Sequence, residues 1–135
     1  MKLTLQNTFL EVDDHEAALA FYRDVLGLEV RNDVVMDFGR WLTVGPAGQP
    51  ELGVVLQSVG VGRSPEDART LQSLLAKGSL GGLVFTTDDV DGMFEKVHAA
   101  GAEVMQEPMD MPYGVRDCAF RDPAGNMVRF AQPKS

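Results

Sequence analysis

The chain has 135 residues and a mass of 14.7 kDa, which is the size of one globular domain rather than of several. Hydrophobic residues make up 44% of it and charged residues 24%, which excludes a disordered chain, and no apolar run approaches the ~18 residues that cross a membrane. Twenty acidic residues against twelve basic ones give a net charge of -8, so nucleic acid and anionic lipid surfaces are poor partners. The same field favours a cationic or zwitterionic small molecule, although an acidic surplus of this size also serves solubility alone.

Cys118 is the only cysteine, which excludes an internal disulfide and a cysteine-rich zinc site. Residues 1–6 lack the apolar stretch and the small-residue cleavage site of a secretion signal. Both features predict a protein of the reducing cytoplasm.

The first half of the chain predicts one helix set between strands. Residues 3–12 alternate apolar and polar side chains, which is typical of a strand. Asp13, with Glu16 three residues later, forms a capping-box pattern, and apolar residues at helical spacing follow as far as Gly27. Further strands are predicted at 28–31, 34–38, 40–44 and 52–58.

Residues 59–80 predict a linker with a short helix, because Ser64 can cap a helix and Pro65 suits its first position. The second half then repeats the order of the first. It predicts a strand at 83–87, a helix capped by Asp88 and ended by Gly101, strands at 103–106, 115–121 and 127–132, a loop at 108–114 and a tight turn at 122–126.

The two halves are copies of one βαβββ unit. Asp13 falls on Asp88 with an offset of about 75 residues, and the glycines that end the two helices correspond with a slip of one. Neither unit buries enough apolar surface to be stable alone, so two four-stranded sheets must combine. The sequence therefore predicts an α+β fold in which two tandem βαβββ modules, 1–58 and 81–135, form curved mixed sheets around a cleft.

Four stretches carry a resemblance to a known family. They are Phe-Tyr-Arg-Asp-Val-Leu-Gly-Leu-Glu-Val at 21–30, Thr-Asp-Asp-Val-Asp at 87–91, Ala-Ala-Gly-Ala-Glu-Val at 99–104 and Phe-Arg-Asp-Pro-Ala-Gly-Asn at 120–126. On these stretches the sequence resembles the vicinal oxygen chelate (VOC) superfamily, which includes glyoxalase I, bleomycin-resistance proteins and extradiol dioxygenases. The resemblance implies a single domain of the glyoxalase/bleomycin-resistance fold over nearly the whole chain, and a homodimer whose sites are often built from both chains.

In the resembling enzymes, His and Glu side chains from the first and last strand of each unit hold a divalent metal. Carried over by position, these ligands fall at Asn7 and Gly82, at Gln57 or Val55, and at Arg129. Gly82 offers no side chain, and Arg129 is a permanent cation that would oppose a metal ion. The residues therefore predict that the metal site is lost, with no metal and no other cofactor.

Other residues do not clearly restore a metal site. His15 and His98 both lie in predicted helices, and neither forms an i, i+4 ligand pair, so we interpret them as surface or helix-packing residues. A magnesium site made of Glu11, Asp37 and Glu51 stays open as an alternative, although a solvated acidic face explains these residues more simply.

Strand alternation predicts which side chains face the cleft. It places Asn7, Phe9 and Glu11 on one face of the first strand and gives Gly82 and Val84 the matching positions in its repeat. The resemblance turns Arg129 inward, where the charge needs a partner. That partner is either Glu11, in an internal ion pair, or a carboxylate or phosphate of a ligand, held by the planar guanidinium.

Two further residues have both a binding and a structural interpretation. Trp41 suits stacking on a planar ligand, but equally the core or a dimer interface. The resemblance places the loop before Arg116 at the border of the cleft, where Met109 and Tyr113 suit an apolar ligand, although Met109 equally suits a gap in the core. The candidate ligand contacts are Asn7, Phe9, Glu11, Trp41, Gln57, Gly82, Val84, Met109, Tyr113, Arg116 and Arg129.

Three functions follow from these residues. The first is a metal-free protein that binds a small organic molecule and sequesters a drug or metabolite, as bleomycin-resistance proteins do. The second is a divalent-metal-dependent lyase, isomerase or dioxygenase of the same superfamily, or an enzyme that uses Arg129 and Tyr113 as electrostatic and acid-base groups. The third is a non-catalytic dimerisation module whose cleft is filled by its own side chains. No nucleophilic triad is visible, and Cys118 is expected to pack rather than attack.

Overall fold

Each half of the chain folds into one strand, one helix and three further strands. The computed structural model describes residues 1–134. Its elements are β1 (Asn7–Val12), α1 (His15–Leu19) with a π-helical continuation (Ala20–Val25), β2 (Glu29–Met36), β3 (Gly39–Gly45), β4 (Gly53–Ser58), α2 (Pro65–Ala76), β5 (Gly82–Thr86), α3 (Val90–Ala99), β6 (Glu103–Asp110), β7 (Val115–Arg121) and β8 (Met127–Pro133). Among residues 1–134, no helix is long and apolar enough to cross a membrane.

The strands form two four-stranded mixed sheets, in the orders β1-β4-β3-β2 and β5-β8-β7-β6. β1 pairs in parallel with β4, β5 pairs in parallel with β8, and the remaining pairs are antiparallel. One face of each sheet packs against the helices in a single apolar core that includes Leu10, Tyr22, Leu75, Phe94 and Phe120. The other face of each sheet is turned away from the helices. The predicted α+β fold with two curved sheets is confirmed.

Two strands are longer than the sequence predicts. The segments at 28–31 and 34–38 are parts of one strand, β2, which runs through a bulge between Val30 and Asn32. β6 continues through Pro108 to Asp110, where a loop was expected. Pro108 is tolerated because β6 is an edge strand, so its missing N–H leaves no partner strand unpaired.

The helix caps differ from the prediction by one residue at two of three places. Asp14, not Asp13, accepts hydrogen bonds from the backbone N–H groups that start α1, and Asp89, not Asp88, caps α3. Ser64 caps α2 as predicted. Each error lies within an Asp-Asp pair, where either carboxylate satisfies the pattern and only the backbone angles decide between them.

The turn between β7 and β8, residues 122–126, links the two halves of the chain by hydrogen bonds. The Tyr22 hydroxyl donates to Asp122 Oδ2 at 2.6 Å, and Asp122 Oδ1 accepts from the backbone N–H groups of residues 124–126, each at 2.9 Å. Asn126 Nδ2 donates both to Asp122 Oδ2 at 2.9 Å and to the carbonyl oxygen of Glu11 at 2.8 Å. Burial raises the pKa of Tyr22 well above its usual value, and the charge of Asp122 adds to the effect. The most specific motifs of the sequence are therefore structural.

Candidate ligand-binding site

One face of the first sheet is turned away from its helices. Leu10 and Val12 of β1 are buried in the core, so the residues that alternate with them point to the opposite face. The register of the four strands extends this face across the sheet. We call it the N-terminal open face; it includes Asn7, Phe9, Glu11, Asn32, Val34, Trp41, Thr43, Val55 and Gln57.

An aromatic cluster occupies the middle of the N-terminal open face. Trp41 is flanked edge-on by Phe9, with ring centroids 6.2 Å apart, and by Phe38, at 6.5 Å. Phe9 is 56% exposed and Phe38 is 51% exposed. Two phenylalanines at this exposure around a tryptophan form an apolar surface of the kind that marks an interaction site.

Glu11 lies on the same face and does not contact Arg129. Its carboxylate instead forms an ion pair with Arg63, from the segment between β4 and α2. Both carboxylate oxygens are buried; Oε1 is the atom that contacts Arg63, and Oε2 has no polar partner among residues 1–134. At the other end of the face, the buried hydroxyl of Thr43 is likewise without a partner in the described chain, beside a cavity of about 620 Å³ that Asn7 and Arg31 also line.

The second sheet carries a network of polar side chains on its corresponding face, which we call the C-terminal open face. Arg129 Nη1 lies 3.2 Å from Asp117 Oδ2 and donates to Gln106 Oε1 at 3.1 Å. Gln106 Nε2 donates to Asp117 Oδ1 at 2.6 Å, and the Tyr113 hydroxyl donates to Asp117 Oδ2 at 3.3 Å. The face includes Gly82, Val84, Thr86, Gln106, Met109, Tyr113, Asp117, Ala119, Met127, Arg129 and Ala131.

The acidic partner expected for Arg129 is thus Asp117, which is only 1% exposed, and not Glu11. Asp117 and Gln106 were missed. Strand alternation alone could have found Asp117, because it shares a face of β7 with Ala119, which pairs with Arg129 of β8. Gln106 lies next to a bulge in β6, where alternation no longer predicts the face.

Arg116 is the one predicted ligand contact that lies on neither open face. Arg116 lies on the opposite face of β7 from Asp117, and its guanidinium binds the carboxylate of Asp91 on α3 at 2.9 and 3.0 Å. Successive strand residues alternate faces, so Arg116 cannot share a surface with its neighbour Asp117. Cys118, on that same helix side, is buried, and burial raises the pKa of its thiol to about 11, which leaves it unreactive at neutral pH.

The remaining predicted residues fall into two groups in one chain. Asn7, Phe9, Glu11, Trp41 and Gln57 lie on the first sheet, and Gly82, Val84, Met109, Tyr113 and Arg129 belong to the second. Phe9 is 56% exposed and Val84 is 64% exposed, so neither first strand is covered by the other sheet. The cavity beside Asn7 is lined by no residue of the C-terminal open face. A single chain therefore presents these residues on two separate open faces.

Comparison with known proteins identifies the fold family. The model of the Glyoxalase/Bleomycin resistance protein/Dioxygenase superfamily matches residues 4–130. The chain belongs to this superfamily. Within it, the crystal structure of UcmS2 is 36% identical, covers 97% of this chain and 98% of its own, and superposes with a TM-score of 0.89. TnmS3, described as an antibiotic binding protein from Streptomyces sp. CB03234, is 31% identical over 98% of both chains, with a TM-score of 0.77. A probable lactoylglutathione lyase of Vibrio parahaemolyticus is 25% identical over 95% of this chain and 89% of its own.

The metal that enzymes of this superfamily bind does not fit the residues present in this chain. Arg129, at one ligand position, is held by Asp117 and Gln106, and its charge opposes a cation. At Gly82, a β-carbon would collide with the carbonyl group of Met127, so the backbone leaves no room for a ligand side chain there. Within residues 1–134, no three side chains of His, Cys, Asp or Glu are grouped as a metal site requires.

The two histidines are engaged elsewhere. His15 Nε2 lies 2.9 Å from the carbonyl oxygen of Leu56, and the His98 ring stacks on Phe94 with centroids 5.4 Å apart. Both contacts belong to helix packing, as the sequence predicts.

Proposed function

We propose that this protein binds a small organic molecule, a drug or a metabolite, and sequesters it without a metal. The observation that carries the proposal is the exposed aromatic cluster of Phe9, Phe38 and Trp41 on the N-terminal open face. A planar ligand stacked on this cluster would bury apolar surface that one chain leaves in water. The antibiotic binding described for TnmS3 supports the same function.

We further propose that the site is completed in a homodimer. Each chain has an apolar half-site on its first sheet and a polar half-site around Arg129 on its second. Phe9 of the first sheet and Val84 of the second are both exposed to solvent. Pairing the N-terminal open face of one chain with the C-terminal open face of another would cover both and enclose a ligand. The net charge of -8 favours a cationic or zwitterionic ligand, and the single, buried cysteine suits the cytoplasm.

The binding proposal predicts a response of Trp41, the only tryptophan of the chain. Addition of daunorubicin, which joins a planar aromatic ring system to an aliphatic amine, is expected to quench its fluorescence saturably. Phe9→Ala is expected to weaken that binding about tenfold, because it removes one side of the stacking surface. Val35→Ala, at an exposed position facing away from the cluster, is the control and should bind as the wild type does. An unchanged tryptophan signal with daunorubicin and with bleomycin would contradict the proposal.

The dimer proposal predicts the mass in solution. Sedimentation equilibrium at micromolar concentration is expected to give twice the chain mass of 14.7 kDa. Val84→Asp places a carboxylate on the proposed interface and is expected to shift the equilibrium at least tenfold toward the monomer, whereas Val35→Asp should not. A wild-type protein that sediments as a single chain would exclude the shared site.

A metal-dependent lyase, isomerase or dioxygenase is the alternative, and the similarity to the probable lactoylglutathione lyase favours it. Elemental analysis of the purified protein separates the two functions. Nickel, zinc, iron or manganese at one ion per chain would replace the metal-free proposal.

A further inference from the structure

The two open faces each contain an acidic residue paired with an arginine, but the two pairs differ in how many hydrogen bonds they make. On the C-terminal open face, Asp117 receives donors from Gln106 and Tyr113 in addition to its contact with Arg129. On the N-terminal open face, Glu11 contacts Arg63 and receives no other donor from residues 1–134. Because a buried carboxylate normally accepts several hydrogen bonds, Glu11 retains unused acceptor capacity.

Arg63 is held mainly by its own segment. Its guanidinium donates to the carbonyl oxygen of Val59 at 3.1 Å, four residues earlier in the chain. Gly60 and Gly62 lie between these two residues, and the β-carbon position of each has no atom within 4 Å. The arginine side chain can leave Glu11 by rotating about its own bonds, which requires no displacement of β1 or β4.

We infer that Glu11 is the binding site for an ammonium group of the ligand, and that Arg63 occupies this position in the free protein and is displaced when the ligand binds. The inference rests on the proposed binding function. An ammonium group has three N–H donors, so it can bind both carboxylate oxygens, whereas Arg63 contacts Oε1 alone. Glu11 lies two residues from Phe9 on the same face, so the amine would be attached to a molecule whose rings lie on the aromatic cluster. The ligand class is a planar aromatic molecule that carries an aliphatic amine.

The test compares two probes that differ in one charge. Daunorubicin carries a primary amine, and N-acetyldaunorubicin has the same rings with that amine made neutral. The quenching of Trp41 fluorescence gives the affinity of each. The wild type is expected to bind daunorubicin about tenfold more tightly than the acetylated form, the scale of one hydrogen-bonded charge pair.

Two variants are expected to move the preference in opposite directions. Glu11→Gln keeps the shape and removes the charge, so daunorubicin should lose about tenfold in affinity while the acetylated probe is unaffected. Arg63→Gln removes the competing cation, so daunorubicin alone should gain in affinity. Glu66→Gln and Arg69→Gln change the same charges at exposed positions of α2, and they control for the overall field. Thermal unfolding of each variant confirms that it is folded.

The outcomes separate this inference from the function on which it rests. If both probes bind the wild type equally, or if Arg63→Gln weakens daunorubicin binding, the Glu11–Arg63 pair is a structural contact and the inference is wrong, while the binding function stands. If neither probe quenches Trp41, the binding function fails for planar aromatic molecules of this kind and the inference fails with it.

Discussion

Asp122→Ala is expected to lower the free energy of unfolding by about 3–5 kcal/mol, because a buried carboxylate that accepts five hydrogen bonds is lost at once. Three of its donors are backbone N–H groups of residues 124–126. In the variant Gly125 keeps its hydrogen bond to the backbone carbonyl oxygen of residue 122, whereas the N–H groups of Ala124 and Asn126 lose their acceptor. Urea unfolding followed by circular dichroism, at one protein concentration for all variants, measures the change.

Tyr22→Phe is the matched control for this prediction. It removes only the hydroxyl that donates to Asp122 Oδ2, and Asn126 still donates to that oxygen, so a loss of about 1–2 kcal/mol is expected. Equal losses in Tyr22→Phe and Asp122→Ala would show that the backbone of the turn does not depend on the carboxylate.

Gly125→Ala is expected to destabilise the protein by about 3 kcal/mol or more, for two reasons that act together. Gly125 has a φ of +119°, which side chains rarely allow, and its β-carbon position overlaps the carbonyl oxygen of Leu75 at the end of α2. Gly101→Ala separates the two effects. Gly101 also has a positive φ, +91°, but no atom lies within 4 Å of its β-carbon position, so only about 1 kcal/mol is expected there. Similar losses in the two variants would mean that the close approach to Leu75 is relaxed at little cost.

The order of strands and helices could be predicted because each is set by local signals. Alternation revealed β1, and a Ser-Pro pair started α2 where the structure has it. The errors arose where the deciding contact is distant in sequence. The sequence predicts that β6 ends before Pro108, because proline does not fit a central strand. Only the sheet order shows that β6 lies at an edge, where proline is tolerated.

Some residues of the candidate site could be predicted from the sequence and others could not, depending on whether a local pattern indicates them. Alternation along β1 places Phe9 and Glu11 on one face. Trp41 was a candidate by its residue type alone, and its place beside Phe9 follows from the pairing of the strands. Arg63, the partner of Glu11, lies in a linker without periodicity, so no pattern pointed to it. Phe38 lies in the tight turn between β2 and β3, where the face of a side chain depends on the turn geometry.

The predicted cleft illustrates what a repeat cannot specify. Duplication of a βαβββ unit predicts two similar sheets, and their open faces are present. It does not determine whether the sheets that face one another come from one chain or from two. The exposure of Phe9 and Val84 leaves both sheets free to face a second copy.

The junction between Tyr22 and Asp122 also has a consequence for folding order. These residues are 100 positions apart, and Asn126 reaches the Glu11 carbonyl across 115, whereas every strand pairs within its own half of the chain. Loop-closure entropy favours the local pairings, so each sheet is expected to assemble before the two halves dock. Contacts that form after the rate-limiting step slow unfolding without speeding folding. The turn at 122–126 would then govern how long a folded chain persists rather than how quickly it forms.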